Sequence, residues 1–224
     1  MQTDLSFSTK IKLYYDVSVP ENSTGPAPLL LAVHGYGAHK RYMMREAQAV
    51  APEGFVLGSV QGPHQHFRPT GNGYRVGFGW LTDHRPDESV TIHHDFLNHV
   101  IGKLVGEEIV DPGRIYLFGF SQACALNFRF ALTFPTVARG IVGVCGGVPG
   151  DLESNDKFEP ITGDVFYLYN TNDEFYPLDK YVEYARRLQP FAPKLTTKVY
   201  ESKHEIVDPM RDDIRAWLKE KEAA

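Results

Sequence analysis

The sequence predicts one α/β domain over residues 1–224, with a mostly parallel central sheet and helices on both faces. Two observations predict it: short, wholly apolar runs recur along the chain, and stretches with helical spacing of apolar residues separate them. A run without polar residues is typical of a strand that is covered on both faces in a parallel sheet. Strands that alternate with helices are typical of βαβ units. No internal repeat, linker or break in composition divides the chain.

The elements follow from the periodicity of the apolar residues. Residues 10–19 alternate in character, which predicts a half-exposed strand. Apolar runs predict further strands at 29–33, 54–60 and 114–119, and residues 140–144, 165–169 and 196–200 supply the remaining predicted strands. Helical spacing predicts helices at 41–50, 87–109, 122–134, 176–189 and 206–222. Residues 61–86 are rich in Gly, Pro, His and aromatic residues, and they predict a long loop near the functional site, because loops of that length inside a compact domain tend to be functional or mobile.

Composition and charge exclude several classes of protein. The chain has 23 Lys and Arg against 28 Asp and Glu, and its net charge is -5 without a long run of one sign. This surface offers no electrostatic footprint for a nucleic acid. The two cysteines, Cys124 and Cys145, lie in apolar stretches and are predicted to be buried thiols. The N-terminal residues lack the apolar core of a signal peptide, and no apolar run is long enough to span a membrane. A cytoplasmic protein is therefore expected.

A turn motif with a serine at its centre lies between the predicted strand at 114–119 and the predicted helix at 122–134. It consists of Gly119-Phe120-Ser121-Gln122-Ala123. A nucleophile elbow requires this strand–turn–helix context, because its sharp turn projects the serine hydroxyl beyond the carboxyl end of the sheet. Small residues two before and two after the serine let the strand and the helix approach closely. The motif predicts Ser121 as a nucleophile in an α/β-hydrolase fold.

A serine hydroxyl needs a base to take its proton, and the chain offers one histidine after Ser121. This is His204, which follows the last predicted strand and precedes the last predicted helix. In the α/β-hydrolase fold the chain order is serine, acid, histidine. The sequence therefore predicts His204 as the general base.

The acid is expected between these two residues, in a loop at the same edge of the sheet. Asp173 follows the predicted strand at 165–169 and begins a loop that leads to a helix. A carboxylate there would orient the imidazole of His204 and stabilise its charged form. Asp173 is the predicted acid. Glu174, Asp179 and Asp151 are the rival candidates.

Hydrolysis of an acyl bond also needs two N–H donors for the oxyanion. In this fold they belong to the residue after the nucleophile, here Gln122, and to an early loop. His34-Gly35-Tyr36-Gly37 follows the predicted strand at 29–33. Its two glycines allow a tight turn that brings a backbone amide into the pocket. Tyr36 is the predicted second donor.

These motifs, in this order, resemble the phospholipase/carboxylesterase family of α/β-hydrolases, which includes acyl-protein thioesterases and small bacterial carboxylesterases. The resemblance extends over about residues 29–218. It implies a carboxylic ester hydrolase without a cofactor or a metal, and with the triad named above. Trp80-Leu81 resembles the loop that the family places beside the acyl pocket, which implies that Trp80 binds substrate. The chain departs from the family pattern at Ala123, where glycine is usual, and at Tyr36, where leucine is common.

The substrate and the class of protein allow more than one interpretation. Short-chain esters are the predicted substrates, with acyl thioesters and lysophospholipids as alternatives. A catalytically silent protein that binds a small ligand on the same fold is the alternative from another class. His64 with His66, and His93 with His94, contain possible metal ligands, but neither pair has a third partner at a diagnostic spacing. The sequence does not predict an oligomeric state.

Overall fold

The computed structural model of the protein describes residues 1–21, 23 and 25–223. Nine strands are assigned in this part of the chain: β1 Tyr15–Ser18, β2 Ala27–Val33, β3 Val56–Val60, β4 His64–Thr70, β5 Gly73–Gly79, β6 Val110–Phe120, β7 Gly140–Val144, β8 Asp164–Asn170 and β9 Leu195–Tyr200. The helices are α1 Lys40–Val50, α2 Pro86–Gly106, α3 Gln122–Thr133, α4 Leu178–Leu188 and α5 Asp208–Ala223. None of the helices described is long and apolar enough to cross a membrane.

Seven strands form one sheet in the order β1-β3-β2-β6-β7-β8-β9. All neighbours in it pair in parallel except β1, which runs antiparallel to β3. The expected mostly parallel α/β sheet is confirmed. The predicted first strand is shorter than expected, because only four of its residues pair with β3 and residues 10–14 lie outside the ladder.

Helices cover both faces of the sheet. Alternate residues of β2 point to opposite faces: Leu29 and Leu31 pack with side chains of α2, α3 and α4. Leu30 and Ala32 pack on the other face with side chains of α1 and α5. All seven residues of β2 are buried, which explains why that run of the sequence contains no polar residue.

The prediction of a long loop over residues 61–86 is wrong for most of that segment. β4 and β5 form a separate two-stranded antiparallel sheet in which Thr70 pairs with Gly73. Gly71 and Asn72 are therefore its two-residue turn, a composition that favours tight hairpins. Neither strand shows a regular apolar alternation, because both faces of the hairpin's outer part are exposed.

The hairpin is attached to the loop that follows β2. Gly37 N donates to Phe78 O at 2.7 Å, and Phe78 N donates to Ala38 O at 3.2 Å. The carboxyl ends of β2, β6, β8 and β9 meet at one edge of the sheet, since these strands are parallel. Ligands bind at this edge in open α/β sheets. The hairpin therefore lies beside the edge where the predicted site residues converge.

Candidate active site

Ser121 occupies a strained turn between β6 and α3. Its φ is 58° and its ψ is -121°, a conformation that costs energy for a residue with a side chain. Close packing explains the small neighbours: a Cβ on Gly119 would lie 2.8 Å from Asn127 Nδ2 and 3.1 Å from Ala123 O. Ala123 is fully buried at the start of α3, so alanine is accommodated at the fifth position of the motif. The local geometry is that of a nucleophile elbow.

The structure brings Ser121, His204 and Asp173 into one hydrogen-bonded chain. Ser121 Oγ lies 2.9 Å from His204 Nε2, and His204 Nδ1 lies 2.8 Å from Asp173 Oδ2. A carboxylate only accepts hydrogen bonds, so the proton on the ring belongs on Nδ1. Nε2 is then free to accept a proton from the serine hydroxyl, as a general base requires.

Asp173 is held rigidly and its side chain has no exposed surface. Its second oxygen, Oδ1, accepts hydrogen bonds from the backbone N–H groups of Phe175 and Tyr176, both at 2.9 Å. The neighbouring carboxylate of Glu174 is exposed, and it accepts a bond from the backbone N–H of His204 rather than from the ring.

The two more distant candidate acids have different surroundings. Asp151 pairs with Arg129, and Asp179 lies in the first turn of α4. Asp173 is thus the candidate carboxylate that the structure places against the ring of His204.

Three aromatic rings surround the imidazole of His204. The ring centroid of Phe120 lies at 4.8 Å, that of Phe175 at 4.9 Å and that of Tyr176 at 5.8 Å. Phe175 and Tyr176 also donate the N–H groups that hold Asp173. The turn after β8 therefore positions both the acid and the ring, a role that the sequence motifs did not predict.

The loop after β2 packs directly against the nucleophile. A Cβ on Gly35 would lie 2.9 Å from Ser121 Cβ and 3.0 Å from Phe120 O, so glycine is needed here. Within the described residues, the backbone N–H groups of Tyr36 and Gln122 have no acceptor. Tyr36 directly follows Gly35 in the chain, and Gln122 directly follows Ser121.

The side chain of His34 holds the loop after β2 in place through two hydrogen bonds. Its buried ring donates from Nδ1 to Gly35 O at 2.7 Å and accepts at Nε2 from the N–H of Gly62 at 2.9 Å. Burial lowers the pKa of His34 to about 4, so the ring is neutral at neutral pH. A neutral ring is what this pair of hydrogen bonds needs, because one nitrogen donates while the other accepts.

Trp80 lies beneath the site rather than in its wall. Its side chain is fully buried, and its indole N–H donates to His34 O at 2.9 Å. The side-chain amide of Gln122 holds the same segment, since it accepts from Trp80 N and donates to Leu81 O, both at 2.9 Å. Trp80 supports the loop after β2 and is not among the residues that line the cleft, and the expectation that it binds substrate stays a prediction.

A cleft of about 1040 Å³ opens above Ser121. One part of its wall is aromatic, and the residues there are Tyr36, Tyr42, Phe120, Phe175 and Tyr176. The lining also contains three cationic residues, Arg45, Arg68 and Arg75, and the guanidinium of Arg45 lies 6.0 Å from the ring centroid of Tyr42. No sequence motif indicated these arginines, because only the fold of the hairpin and of α1 brings them to one cleft.

Both cysteines are buried free thiols, as predicted. Among the described residues, one group of potential metal ligands is compact: Cys145, Asp173 and His204, with ligand atoms within 4.8 Å of one another. Both ring nitrogens of His204 already face Asp173 and Ser121, so a metal there would compete with the hydrogen-bonded chain. The two histidine pairs noted in the sequence belong to no such group in the part of the chain that is described.

The sequence of residues 16–221 matches the Phospholipase/Carboxylesterase family. The chain belongs to this family. The expected family, fold and enzyme class are thereby confirmed: the protein is an esterase-type α/β-hydrolase, which matches the geometry around Ser121.

Curated relatives carry related names. The chain is 29% identical over 160 residues to the putative esterase NocK of Nocardia uniformis subsp. tsuyamanensis, a match that covers 68% of this chain and 42% of NocK. It is 24% identical over 196 residues to acyl-protein thioesterase 1 of Saccharomyces cerevisiae, with 83% of this chain and 86% of that protein covered. The chain therefore spans less than half of NocK and most of the thioesterase.

Solved structures share the fold. The Bacillus cereus carboxylesterase superposes with a TM-score of 0.72 at 17% identity, over 93% of this chain and 94% of that chain. A phospholipase/carboxylesterase from Dyadobacter fermentans gives a TM-score of 0.72 at 16% identity, over 95% and 99% of the two chains. At this identity the similarity establishes the α/β-hydrolase fold of the family and nothing finer.

Proposed function

We propose that this family member hydrolyses small carboxylic esters through an acyl-enzyme formed on Ser121. The observation that carries the proposal is the hydrogen-bonded chain from Ser121 Oγ through His204 to Asp173, with contacts of 2.9 and 2.8 Å. A protein that only binds a ligand on this fold has no need of a strained serine aligned with a base and a buried acid.

Acylation begins when Ser121 Oγ attacks the carbonyl carbon and its proton passes to His204 Nε2. Asp173 keeps Nδ1 protonated and stabilises the imidazolium that forms. The oxyanion of the tetrahedral intermediate accepts hydrogen bonds from the N–H groups of Tyr36 and Gln122. Removal of one such donor typically costs about 3 kcal/mol in the barrier. His204 Nε2 then protonates the leaving alkoxide, the carbon–oxygen bond breaks and the alcohol departs.

Deacylation repeats these steps with water as the nucleophile. His204 takes a proton from the water, the hydroxide attacks the acyl carbonyl, and the same two N–H groups hold the second oxyanion. The intermediate collapses when Ser121 Oγ leaves and recovers its proton from His204. The products are one carboxylic acid and one alcohol, and the enzyme returns to its starting state without a cofactor.

The cleft favours small substrates over long acyl chains. Its aromatic residues give an apolar patch beside the serine, but three arginines also line it. Thioester hydrolysis is the second candidate, because acyl-protein thioesterase 1 is similar to this chain over most of its length. The same acyl-enzyme would form from a thioester, with a thiolate in place of the alkoxide.

Hydrolysis of para-nitrophenyl esters of increasing acyl length tests the proposal. Ser121→Ala is expected to reduce kcat by at least about 10⁴-fold, since the nucleophile acts as a unit with its base. Ser154→Ala, a change at an exposed serine outside the cleft, is the matched control and is expected to retain full activity. Equal activity of the wild type and Ser121→Ala would refute the proposed nucleophile. Thioesters of the same acyl chains, followed with a thiol reagent, decide between the two candidates.

A further inference from the structure

Three arginines line the cleft that contains Ser121. Arg45 comes from α1, Arg68 from β4 and Arg75 from β5. All three residues are exposed to solvent and none is needed to fill the core. The hairpin and the helix, which are separate elements of the fold, thus contribute the same type of side chain to one cleft.

These arginines have no carboxylate partner among the described residues, and no Asp or Glu lines the cleft. Six other arginines do form ion pairs with carboxylates: Arg85, Arg114, Arg129, Arg187, Arg211 and Arg215. Acidic residues outnumber basic ones in this protein by 28 to 23. Arg41, Arg139 and Arg186 form no ion pair with a described carboxylate either, but the three arginines of the cleft share one cavity that no carboxylate lines.

The arrangement within the hairpin is unfavourable unless an anion is present. Arg68 and Arg75 are direct cross-strand partners in the antiparallel ladder. Like charges at such positions destabilise a sheet. A bound anion converts this repulsion into attraction, and two planar guanidinium groups suit the oxygens of a carboxylate or a phosphate.

One arginine of the cleft also contacts the loop after β2, which packs against Ser121. Arg68 Nη1 donates to Gly37 O at 2.9 Å, and Gly37 directly follows Tyr36, the proposed oxyanion donor. On the side of α1, the pKa of His39 is lowered by burial and by the positive charges of Arg45 and Arg41. The hydrogen bond thus places one cation at the loop after β2, and the lowered pKa of His39 reflects, besides burial, the positive charge of Arg45 near it.

We propose that the preferred substrates are small esters that carry a carboxylate or phosphate group, which Arg45, Arg68 and Arg75 bind while the ester carbonyl lies at Ser121. The aromatic wall formed by Phe120, Phe175 and Tyr176 then contacts the apolar part of the molecule. The inference rests on the proposed ester hydrolysis and specifies its substrate class. The anionic group takes no part in bond making or breaking, so the reaction and its proton transfers are unchanged.

Pairs of esters that differ in one charge test this inference. On the acyl side, mono(para-nitrophenyl) adipate is compared with para-nitrophenyl heptanoate. On the alcohol side, para-carboxyphenyl acetate and para-acetoxyphenyl phosphate are each compared with the neutral methyl ester of the former. Each kcat/KM is divided by the rate constant for hydroxide-catalysed hydrolysis of the same ester, which removes differences in intrinsic reactivity. The carboxylate and phosphate arms show which anion the three arginines prefer.

For at least one anionic ester, the wild type is expected to show a corrected kcat/KM about ten- to a hundredfold above that of its neutral partner, as several charge-assisted hydrogen bonds would give. Arg75→Gln and Arg45→Gln are each expected to lower this preference about three- to tenfold, the range for a partly exposed ion pair. Arg186→Gln, at an exposed arginine of α4 outside the cleft, is the control and should keep the preference. High salt should also reduce the preference, because it screens exposed charges.

The outcomes separate this inference from the proposed function. A wild type that hydrolyses charged and neutral esters equally well, with activity lost in Ser121→Ala, overturns the anionic substrate class and leaves the esterase function standing. A preference that survives in the double variant Arg45→Gln/Arg75→Gln also overturns the inference. Activity that survives in Ser121→Ala refutes the proposed function instead.

Discussion

Replacing Asp173 with asparagine is expected to lower kcat by about 10⁴-fold, the loss seen when the same change is made in a Ser-His-Asp enzyme. The structure explains why the amide cannot substitute. Oδ1 accepts two backbone N–H groups at 2.9 Å, so the carbonyl oxygen of asparagine must take that place. The amide NH₂ then faces His204 Nδ1, 2.8 Å away in the native chain.

This orientation forces the wrong tautomer on the histidine. Nδ1 must accept from the amide, so the ring proton moves to Nε2 and points at Ser121 Oγ. The ring can no longer take the proton of the serine. Flipping the amide would leave buried N–H groups unsatisfied, at about 1–3 kcal/mol each. The expected 10⁴-fold loss corresponds to about 5.5 kcal/mol in the barrier.

The assay compares kcat for a para-nitrophenyl ester among the wild type, Asp173→Asn and Glu174→Gln, with thermal unfolding as a check of the fold. Glu174 is the matched control, since it is the adjacent carboxylate and contacts only the backbone N–H of His204, at 3.1 Å. Its variant should lose less than about tenfold, because one exposed hydrogen bond contributes about 1 kcal/mol. Equal losses in the two variants, or an Asp173→Asn enzyme close to wild type, would refute the assignment of the acid.

Two further predictions concern the loop after β2. Gly35→Ala should reduce kcat by at least about tenfold, because its methyl group would meet Ser121 Cβ at 2.9 Å and displace an oxyanion donor. Gly102→Ala is the control, since a Cβ there meets nothing within 4 Å. Equal kcat values for the two variants would contradict the steric argument. The buried His34 has a pKa of about 4, against 6.5 when unfolded, so the unfolded chain binds the proton more tightly between these values. Its contribution to the free energy of unfolding should fall as the pH drops from 6.5 to 4, by roughly 3 kcal/mol, and urea unfolding that is independent of pH over this range would refute it.

The sequence predicted the sheet and the residues at its carboxyl edge because both depend on local patterns. A strand that is buried on both faces must be apolar throughout, and the residue that follows it lies at the sheet edge wherever the rest of the chain goes. Ser121 and Asp173 follow buried strands, and His204 follows the exposed edge strand β9, so their convergence followed from a parallel sheet. The choice of Asp173 over Glu174 required the structure, because adjacent residues in a turn differ in direction and not in composition.

The hairpin and its consequences were harder to predict. β4 and β5 bury little, and their stability comes from the backbone ladder and the Gly71-Asn72 turn rather than from apolar periodicity. That turn was the available signal. Because the hairpin was not predicted, the sequence could not show that Arg68 pairs with Arg75. It also could not show that both line the same cleft as Arg45. The expected cytoplasmic location and the absence of a nucleic-acid partner stay predictions.

Covalent labelling with a fluorophosphonate, followed by peptide mass spectrometry, tests the acyl-enzyme mechanism most directly. The reagent phosphonylates an activated serine with loss of fluoride, so the protein should gain one phosphonyl group and lose esterase activity in proportion. The label is expected on the peptide that contains Ser121, to be absent in Ser121→Ala and to form far more slowly in Asp173→Asn. A label on a different residue, or full esterase activity in a protein whose Ser121 is modified, would contradict the mechanism.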